Sequence, residues 1–151
     1  LIAAKAVAFK EALDPSFRVY ARQVVDNARF LADLLMENWF KITSNWTDNH
    51  LILIDVFSSF WVTWKEAEVA LEKVGLSTNK NMVPYDIRKP MDPSWIRIWT
   101  LAVTTRWMKE EEMKIIADVF TRAIKNHNDD NILEWLKSEI LDLCKRFPIY
   151  K

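Results

Sequence analysis

Apolar side chains recur every three or four residues from position 17 to position 35, and this repeat constrains the fold more than any other feature. Its members are Phe17, Tyr20, Ala21, Val24, Ala28, Leu31 and Leu35. Such spacing places apolar side chains on one face of a helix. Asp14 followed by Pro15 is typical of a helix start, because aspartate caps free backbone N–H groups and proline fits the first helical position. The sequence therefore predicts a long amphipathic helix.

Three further helices and three short strands are predicted along the rest of the chain. Thr63 and Glu66 have the spacing of a capping box, and Gly75 should end the helix that they begin. Apolar repeats at 113–124 and 132–143 predict two more helices, the last one capped within 128–130. The strands are expected at 40–43, 51–56 and 96–100. A long irregular connection is expected at 76–93, where Pro84, Pro90 and Pro93 interrupt a polar stretch.

These elements predict an α/β (α+β-like) fold in which helices flank a small, mostly antiparallel sheet. A chain of 151 residues, half of them hydrophobic, suits one domain over 1–151 with a single core. Residues 1–13 are rich in alanine and have no start signal. We therefore expect residue 1 to lie inside an element and the chain to be a fragment.

Composition argues against several classes of partner. Twenty-one basic residues balance twenty-one acidic ones, so no basic surface for nucleic acid or an anionic membrane is expected. No apolar stretch approaches the roughly 20 residues of a membrane span, and no leader is recognisable. Cys144 is the one cysteine, which rules out an internal disulfide and gives no cluster for a metal. A cytoplasmic protein without a metal site is expected.

Signals for catalysis in the residues themselves are weak. The sequence has no glycine-rich phosphate loop, paired-histidine motif or nucleophile elbow. His50 and His127 lie far apart, and His127 stands in a polar loop where a solvated surface role is expected. Cys144 is expected to be a small buried hydrophobe on the last helix. The glutamates at 110–112 begin a helix, where negative charge stabilises the positive end of the helix dipole.

Arg97 is the strongest candidate for a binding residue. It alternates with Ile96 and Ile98 in a predicted strand, so its side chain points away from that apolar pair. A guanidinium on a strand can bind a carboxylate through two parallel hydrogen bonds. An exposed arginine or a structural ion pair is the alternative. The polar run 78–81 offers donors and acceptors for a heteroaromatic ligand, and a solvated loop explains it equally well.

Five strings of residues, taken in order and with their intervals, carry a family resemblance over almost the whole chain. They are Ile2-Ala3-Ala4-Lys5-Ala6-Val7-Ala8-Phe9, Thr47-Asp48-Asn49-His50-Leu51, Asn79-Lys80-Asn81 with Pro84, Ile96-Arg97-Ile98 with Ala102-Val103-Thr104-Thr105-Arg106, and Cys144-Lys145-Arg146-Phe147-Pro148-Ile149-Tyr150. Together they resemble the C-terminal third of serine hydroxymethyltransferases. Each string alone is modest evidence, whereas five in sequence are highly specific.

The resemblance implies a fold-type I pyridoxal-phosphate enzyme that interconverts serine and glycine and transfers a one-carbon unit to tetrahydrofolate. By motif position, Arg97 resembles the arginine that binds the substrate carboxylate, and Asn81 resembles the asparagine that contacts the folate pterin ring. Neither Lys5 nor Lys80 matches the motif of the family's Schiff-base lysine. That lysine and most cofactor contacts belong to a large N-terminal domain, to which the helical segment 1–38 would connect.

Several further expectations follow from this resemblance. The chain should carry no catalytic residue and should be inactive alone, and the complete enzyme should be a homodimer or homotetramer. The string at 47–50 is expected to form a turn that orders the strand junction, with no catalytic role for His50. Arg106 is expected to be structural or to lie at an interface.

Glycine and tryptophan depart from the family pattern together. Gly75 is the one glycine, where average usage predicts about ten. Seven of the eight tryptophans stand where the family usually has glycine: Trp39, Trp46, Trp61, Trp64, Trp95, Trp99 and Trp107. Glycine serves in turns because it reaches positive φ and permits close backbone approach. UGA is read as glycine in some bacterial lineages, so a UGA-for-glycine gene translated with UGA as tryptophan would give this pattern. Real tryptophans packing as aromatic anchors are the alternative.

Two other functions remain open from the sequence. One is the small domain of another fold-type I enzyme, such as an aminotransferase, which also needs a carboxylate-binding arginine. The strings at 47–50 and 79–81 argue against it. The other is a non-catalytic interaction module whose exposed aromatic residues make a partner surface.

Overall fold

A computed structural model describes residues 1–84, 86, 88–89 and 91–149 of the chain. Seven α-helices, one 3-10 turn and four strands are found in this part. In chain order they are α1 (Ile2–Leu13), α2 (Pro15–Glu37), β1 (Lys41–Ile42), the 3-10 turn (Thr43–Asn45), β2 (Leu51–Asp55), α3 (Val56–Phe60), α4 (Trp64–Lys73), β3 (Asn79–Asn81), β4 (Trp95–Trp99), α5 (Leu101–Thr105), α6 (Glu110–Lys125) and α7 (Asp130–Arg146).

The four strands form one antiparallel sheet in the order β1-β2-β4-β3. Alternate residues point to opposite faces, so the sheet has two unlike sides. One face carries buried isoleucines, with Ile52 opposite Ile98 and Ile54 opposite Ile96. This face and the helices α2, α4 and α6 contribute to one hydrophobic core. The other face is only partly covered and carries Arg97. The sheet thus confirms the predicted small antiparallel fold.

Helix α2 begins as predicted, because the Asp14 carboxylate accepts a hydrogen bond from the Ser16 amide at 2.9 Å and Pro15 occupies the first turn. The buried part of its apolar face begins at Val24 and runs to Leu35. Phe17 keeps 42% of its surface exposed, so the first turns of the stripe are not in the core. The preceding helix α1 has no buried residue. The predicted segment 1–38 is therefore helical and has a break at Asp14.

Helix α4 has both predicted end signals. Thr63 and Glu66 form a reciprocal capping box, in which each side chain accepts a hydrogen bond from the other residue's backbone N–H. At the other end Gly75 has φ +89°, a left-handed conformation that glycine adopts without strain. The Thr63 and Gly75 predictions are confirmed. The start of α7 is confirmed as well, since the Asp129 carboxylate accepts from the amides of Asn131 and Ile132.

Several short elements were not predicted. β3 lies inside the stretch 76–93 that was expected to be irregular, and its Asn-Lys-Asn sequence has no apolar alternation to reveal a strand. The segment forms a strand because it pairs with β4, so its conformation depends on tertiary contacts and not on its own sequence pattern. Helices α3 and α5 are too short to show a helical repeat. The strand expected at 40–43 shortens to β1. Pro90, expected in the irregular connection, lies outside the described residues.

Among the described residues, no helix combines the length and the apolar character that crossing a bilayer requires. The same part of the chain contains no group of three or more histidine, cysteine, aspartate or glutamate side chains placed to hold a metal ion.

Candidate functional site

Arg97 lies at the centre of β4, on the partly covered face of the sheet. It stands opposite Leu53 of β2 and Asn79 of β3, so neighbouring strands flank it on both sides. Its Nε atom is buried and has no hydrogen-bond partner among the described residues. An unsatisfied buried donor costs about 1–3 kcal/mol, and more when the group is charged. The position therefore suits an anionic acceptor, and a carboxylate fits the planar guanidinium best.

Asn81 lies on the same face as Arg97. It is the last residue of β3 and stands opposite Trp95, two residues before Arg97 in β4, so the two side chains are diagonal neighbours. The Asn81 side-chain amide is half-buried and donates to the Met82 carbonyl at 2.7 Å. The sheet thus brings together the two residues that the sequence proposed for separate ligands. What was read as a polar loop at 78–81 is largely a strand.

Trp95 and Trp99 flank Arg97 on this face and are half-buried. The guanidinium carbon of Arg97 lies 5.8 Å from the centroid of the Trp99 ring, within cation–π range. The Trp99 ring thus lies beside the guanidinium, and Trp95 shares the same face of β4. Glycine at 95 and 99 would leave more room beside Arg97.

Three of the seven unusual tryptophans have left-handed backbone conformations. Trp39, Trp61 and Trp107 have φ values of 71°, 59° and 67°. Trp61 directly follows α3, Trp39 and Trp107 stand two residues after the ends of α2 and α5, and all three are largely exposed. A side chain at positive φ is strained by about 1 kcal/mol or more. These three positions therefore have backbone geometry suited to glycine.

The helix ends at Trp39 and Trp107 have the same hydrogen-bond pattern as the one at Gly75. At Gly75, its own N–H bonds to Glu72 O and the following N–H bonds to Leu71 O. The matching pair at Trp39 comprises Trp39 N to Met36 O and Phe40 N to Leu35 O, and that at Trp107 comprises Trp107 N to Thr104 O and Met108 N to Val103 O. This is the Schellman motif, whose left-handed position is usually glycine.

Left-handed strain does not extend to the other four positions. Trp46 has φ −168°, which is extended backbone. Trp64 lies in the first turn of α4, and Trp95 and Trp99 lie in β4. The expectation that glycine-only turns account for these sites therefore holds at three of the seven positions. At 95 and 99 the residues belong to β4 and lie on the same face as Arg97.

An aspartate that was not predicted as a site residue lies between Asn81 and Arg97 in the sequence. Asp86 accepts hydrogen bonds from the Ser94 amide at 3.0 Å, the Ser94 hydroxyl at 2.7 Å and the Arg88 amide at 3.0 Å. Burial raises the pKa of Asp86, but these hydrogen bonds outweigh it and hold the pKa below its ordinary value. The sequence gives no sign of this pair, because an aspartate and a serine eight residues apart match no recognised motif.

The string at 47–50 forms the predicted turn. The buried Thr47 hydroxyl donates to the Leu51 carbonyl at 2.7 Å, and the Leu51 amide donates to the Asn49 side chain at 2.8 Å. Arg29 of α2 donates to the Thr47 carbonyl at 3.2 Å. These bonds fix the entry into β2.

The remaining candidate residues make contacts that are typical of structural roles. His127 contacts the Ile124 carbonyl at 3.0 Å through Nδ1. Cys144 is half-buried and packs against the hydrophobic core. Arg106 donates to the Phe147 carbonyl at 2.9 Å and so ties α5 to the end of α7. The glutamates 110–112 form the first turn of α6, as expected. Tyr150, the last residue of the fifth string, lies outside the described residues.

Neither lysine considered above is placed beside Arg97. Lys5 is exposed on α1. Lys80 points to the opposite face of β3, where its Nζ lies 5.0 Å from the centroid of the Trp64 ring.

Comparisons with known proteins found a matching family and a similar protein. The family profile described as serine hydroxymethyltransferase matches residues 1–120. A protein named serine hydroxymethyltransferase, from Acidobacterium capsulatum, is 49% identical over 150 residues. The match covers 99% of this chain and 35% of that relative, so the chain spans about a third of the relative's length.

Proposed function

We propose, because this chain belongs to the serine hydroxymethyltransferase family, that it is the C-terminal part of an enzyme interconverting serine and glycine with one-carbon transfer to tetrahydrofolate. The observation that carries the proposal is the buried Nε of Arg97 on the partly covered sheet face, which has no hydrogen-bond partner in the part of the chain that the structure describes. Neighbouring strands hold this guanidinium, which suits the carboxylate shared by serine and glycine.

Arg97 is proposed to bind the amino-acid substrate by its carboxylate. Two parallel N–H···O bonds fix the carboxylate plane as well as its position, which a lysine cannot do. Fixing that plane orients the bonds at the α-carbon, where the reaction takes place. Partial burial strengthens the attraction, because water competes less for both charges. The substrate carboxylate would also satisfy the donor that otherwise has no partner.

Asn81 is proposed to contact the pterin ring of the folate. A side-chain amide offers both donors and an acceptor, which suits a heteroaromatic ring with both kinds of group along one edge. Its place diagonal to Arg97 supports this role, because the one-carbon unit must pass between the amino acid and the folate.

The described residues do not fit pyridoxal phosphate as its main holders. Lys80 points to the opposite face of β3, Lys5 is exposed on α1, and no glycine-rich phosphate loop is present in the sequence. The cofactor, when bound, supplies an electron sink for the amino acid. We propose that its contacts come from the part of the protein that this chain does not span, and that the chain alone is inactive. The whole enzyme is proposed to be a cytoplasmic homodimer or homotetramer.

Replacing Arg97 tests the substrate proposal. In the full-length, cofactor-loaded protein, Arg97→Ala should weaken serine binding at least tenfold, because loss of a charge-assisted bond removes about 1.5–3 kcal/mol. The cofactor's absorbance spectrum should not change. Arg22→Ala is a suitable control, since Arg22 is exposed and pairs only locally with Asp26. Unchanged serine affinity in Arg97→Ala would refute the role.

Replacing Asn81 tests the folate proposal separately. Asn81→Ala should weaken tetrahydrofolate binding by about threefold to tenfold, the usual effect of losing a neutral hydrogen bond or two. Serine binding should change little. Titration of each ligand into the variant separates the two effects, and a loss of cofactor affinity alone would contradict the assignment.

The seven unusual tryptophan positions are proposed to carry glycine in the protein as it is made, through UGA codons read as glycine. Three lines of support are the left-handed backbone at Trp39, Trp61 and Trp107, the matched helix end at Gly75, and the crowding of Arg97 by Trp95 and Trp99. The source gene should have UGA at all seven codons. UGG at these codons would contradict the proposal.

A non-catalytic interaction module remains the second candidate, favoured by the exposure of Trp39, Trp61 and Trp107. The proposed recoding removes these aromatic side chains and with them the surface. An upstream reading frame that encodes a lysine-bearing large domain would decide for the enzyme.

A further inference from the structure

The connection between β3 and β4 carries both candidate site residues at its ends. It runs from 82 to 94, leaves the sheet after Asn81 and re-enters it at Trp95, and Asn81 and Trp95 face each other in the register. Arg97 follows two residues later. The shape of this connection therefore bears on the relative positions of Asn81 and Arg97.

Asp86 forms hydrogen bonds to other residues of this connection. One carboxylate oxygen accepts from the Ser94 hydroxyl and from the Arg88 amide, and the other accepts from the Ser94 amide. Ser94 is fully buried and directly precedes β4. Hydrogen bonds to a carboxylate are roughly twice as strong as neutral ones, so this tie is well suited to hold a long loop.

The same segment is fastened to helix α3. The Phe57 amide donates to the Ser94 carbonyl at 3.4 Å, and the Arg88 guanidinium carbon lies 4.4 Å from the centroid of the Phe57 ring. Arg88 also donates through Nε to the Asp92 carbonyl at 3.0 Å. Ser94 is thus bonded on one side to Asp86 and on the other to α3, which fixes the start of β4.

We propose that Asp86 is a positioning residue that, through Ser94, holds the start of β4 so that Arg97 and Asn81 stay together on one face of the sheet. This inference rests on the proposed function of those two residues. Asp86 itself touches neither ligand. Residues that support a binding side chain in this way commonly change affinity about tenfold when replaced.

Asp86→Asn in the full-length, cofactor-loaded protein is the principal test. The variant keeps the size of the side chain but loses the charge that two Ser94 donors share. Serine and tetrahydrofolate affinities should each fall about tenfold, with the cofactor spectrum unchanged. Asp92→Asn is the matched control in the same connection. The half-exposed Asp92 carboxylate pairs with Arg88 alone among the described residues, so its loss should change either affinity less than twofold. Equal effects of the two variants would overturn the proposal.

A double-mutant cycle shows whether Asp86 acts through Arg97. If it does, Asp86→Asn should weaken serine binding about tenfold when Arg97 is present and less than twofold in the Arg97→Ala background. The same factor in both backgrounds would refute the positioning role. Loss of stability without this coupling would show that Asp86 is only structural.

Ser94→Ala covers the case in which Asp86→Asn does not fold. It removes one of the bonds to Asp86 and keeps the Ser94 amide, so serine affinity should fall about threefold and should again depend on Arg97. No change would overturn the inference. The two proposals fail differently. Normal serine affinity in Arg97→Ala would refute both. Weakened serine affinity in Arg97→Ala, together with normal affinity in Asp86→Asn or an Asp86→Asn effect that does not depend on Arg97, would refute the positioning role alone.

Discussion

At the scale of single residues, three tryptophans have a left-handed backbone conformation that favours glycine. Trp39, Trp61 and Trp107 adopt φ values at which an L side chain approaches its own carbonyl, and glycine avoids that contact. Gly75 adopts a similar conformation at the end of α4. One chain therefore contains the same helix end built with and without glycine.

Trp39→Gly should raise the free energy of unfolding by about 1 kcal/mol, because it relieves left-handed strain at an exposed site. Trp46→Gly is the control, since Trp46 is also exposed but has extended backbone that gives glycine no advantage. Denaturant unfolding of the two variants measures the difference. Equal changes in both would contradict the strain argument.

Arg97 and Asn81 could be proposed from sequence because each belongs to a short string with a recognisable pattern. Their proximity could not, since it depends on the antiparallel register of β3 and β4. Asp86 could not be identified from the sequence, because its hydrogen bonds to Ser94 depend on how the chain folds. The sequence thus proposed the two residues, the register shows that they are neighbours, and their ligand contacts stay a prediction.

At the scale of elements, long helices were predictable and short ones were not. α2, α4, α6 and α7 have several turns, so their apolar repeats and caps appear in the sequence. α3, α5 and β3 are held by neighbours rather than by their own pattern. At Asp14 the sequence was informative only in part. The aspartate-proline pair predicted the start of α2, but the apolar repeat did not predict that the first turns of α2 stay exposed.

The capping box of α4 gives a pH-dependent prediction. The Thr63 side-chain and backbone hydrogen bonds hold the pKa of Glu66 below its ordinary value of 4.5. A lowered pKa means that the stabilisation is complete above the ordinary value and is lost as pH falls through the lower, folded value. Thr63→Ala should cost about 1 kcal/mol near neutral pH, measured by denaturant unfolding.

The acid side of the titration provides the check on this prediction. Below the folded pKa of Glu66 the parent protein should lose part of its advantage over Glu66→Gln, because the glutamine has no charge to titrate. A stability difference between parent and Glu66→Gln that stays constant from neutral to acid pH would contradict the assigned capping role.

At the scale of the whole molecule, the sheet has one face in the core and one that carries Arg97. The helices cover the first face. On the second face the buried Arg97 Nε has no hydrogen-bond partner among the described residues, which is costly and suits the proposed ligand. The 49% identity over 99% of the chain places this arrangement in the serine hydroxymethyltransferase family. The chain spans 35% of its relative's length.

The helix ends and the Arg97 face are proposed to be built with glycine. The direct measurement is the mass of peptides from the protein isolated from its native source, covering positions 39, 46, 61, 64, 95, 99 and 107. We expect each peptide to have glycine in place of each of these tryptophans, and the peptide containing Trp135 to keep its tryptophan. Tryptophan masses at 95 and 99 would contradict the account, because an indole on each side of Arg97 would leave the substrate carboxylate no open site.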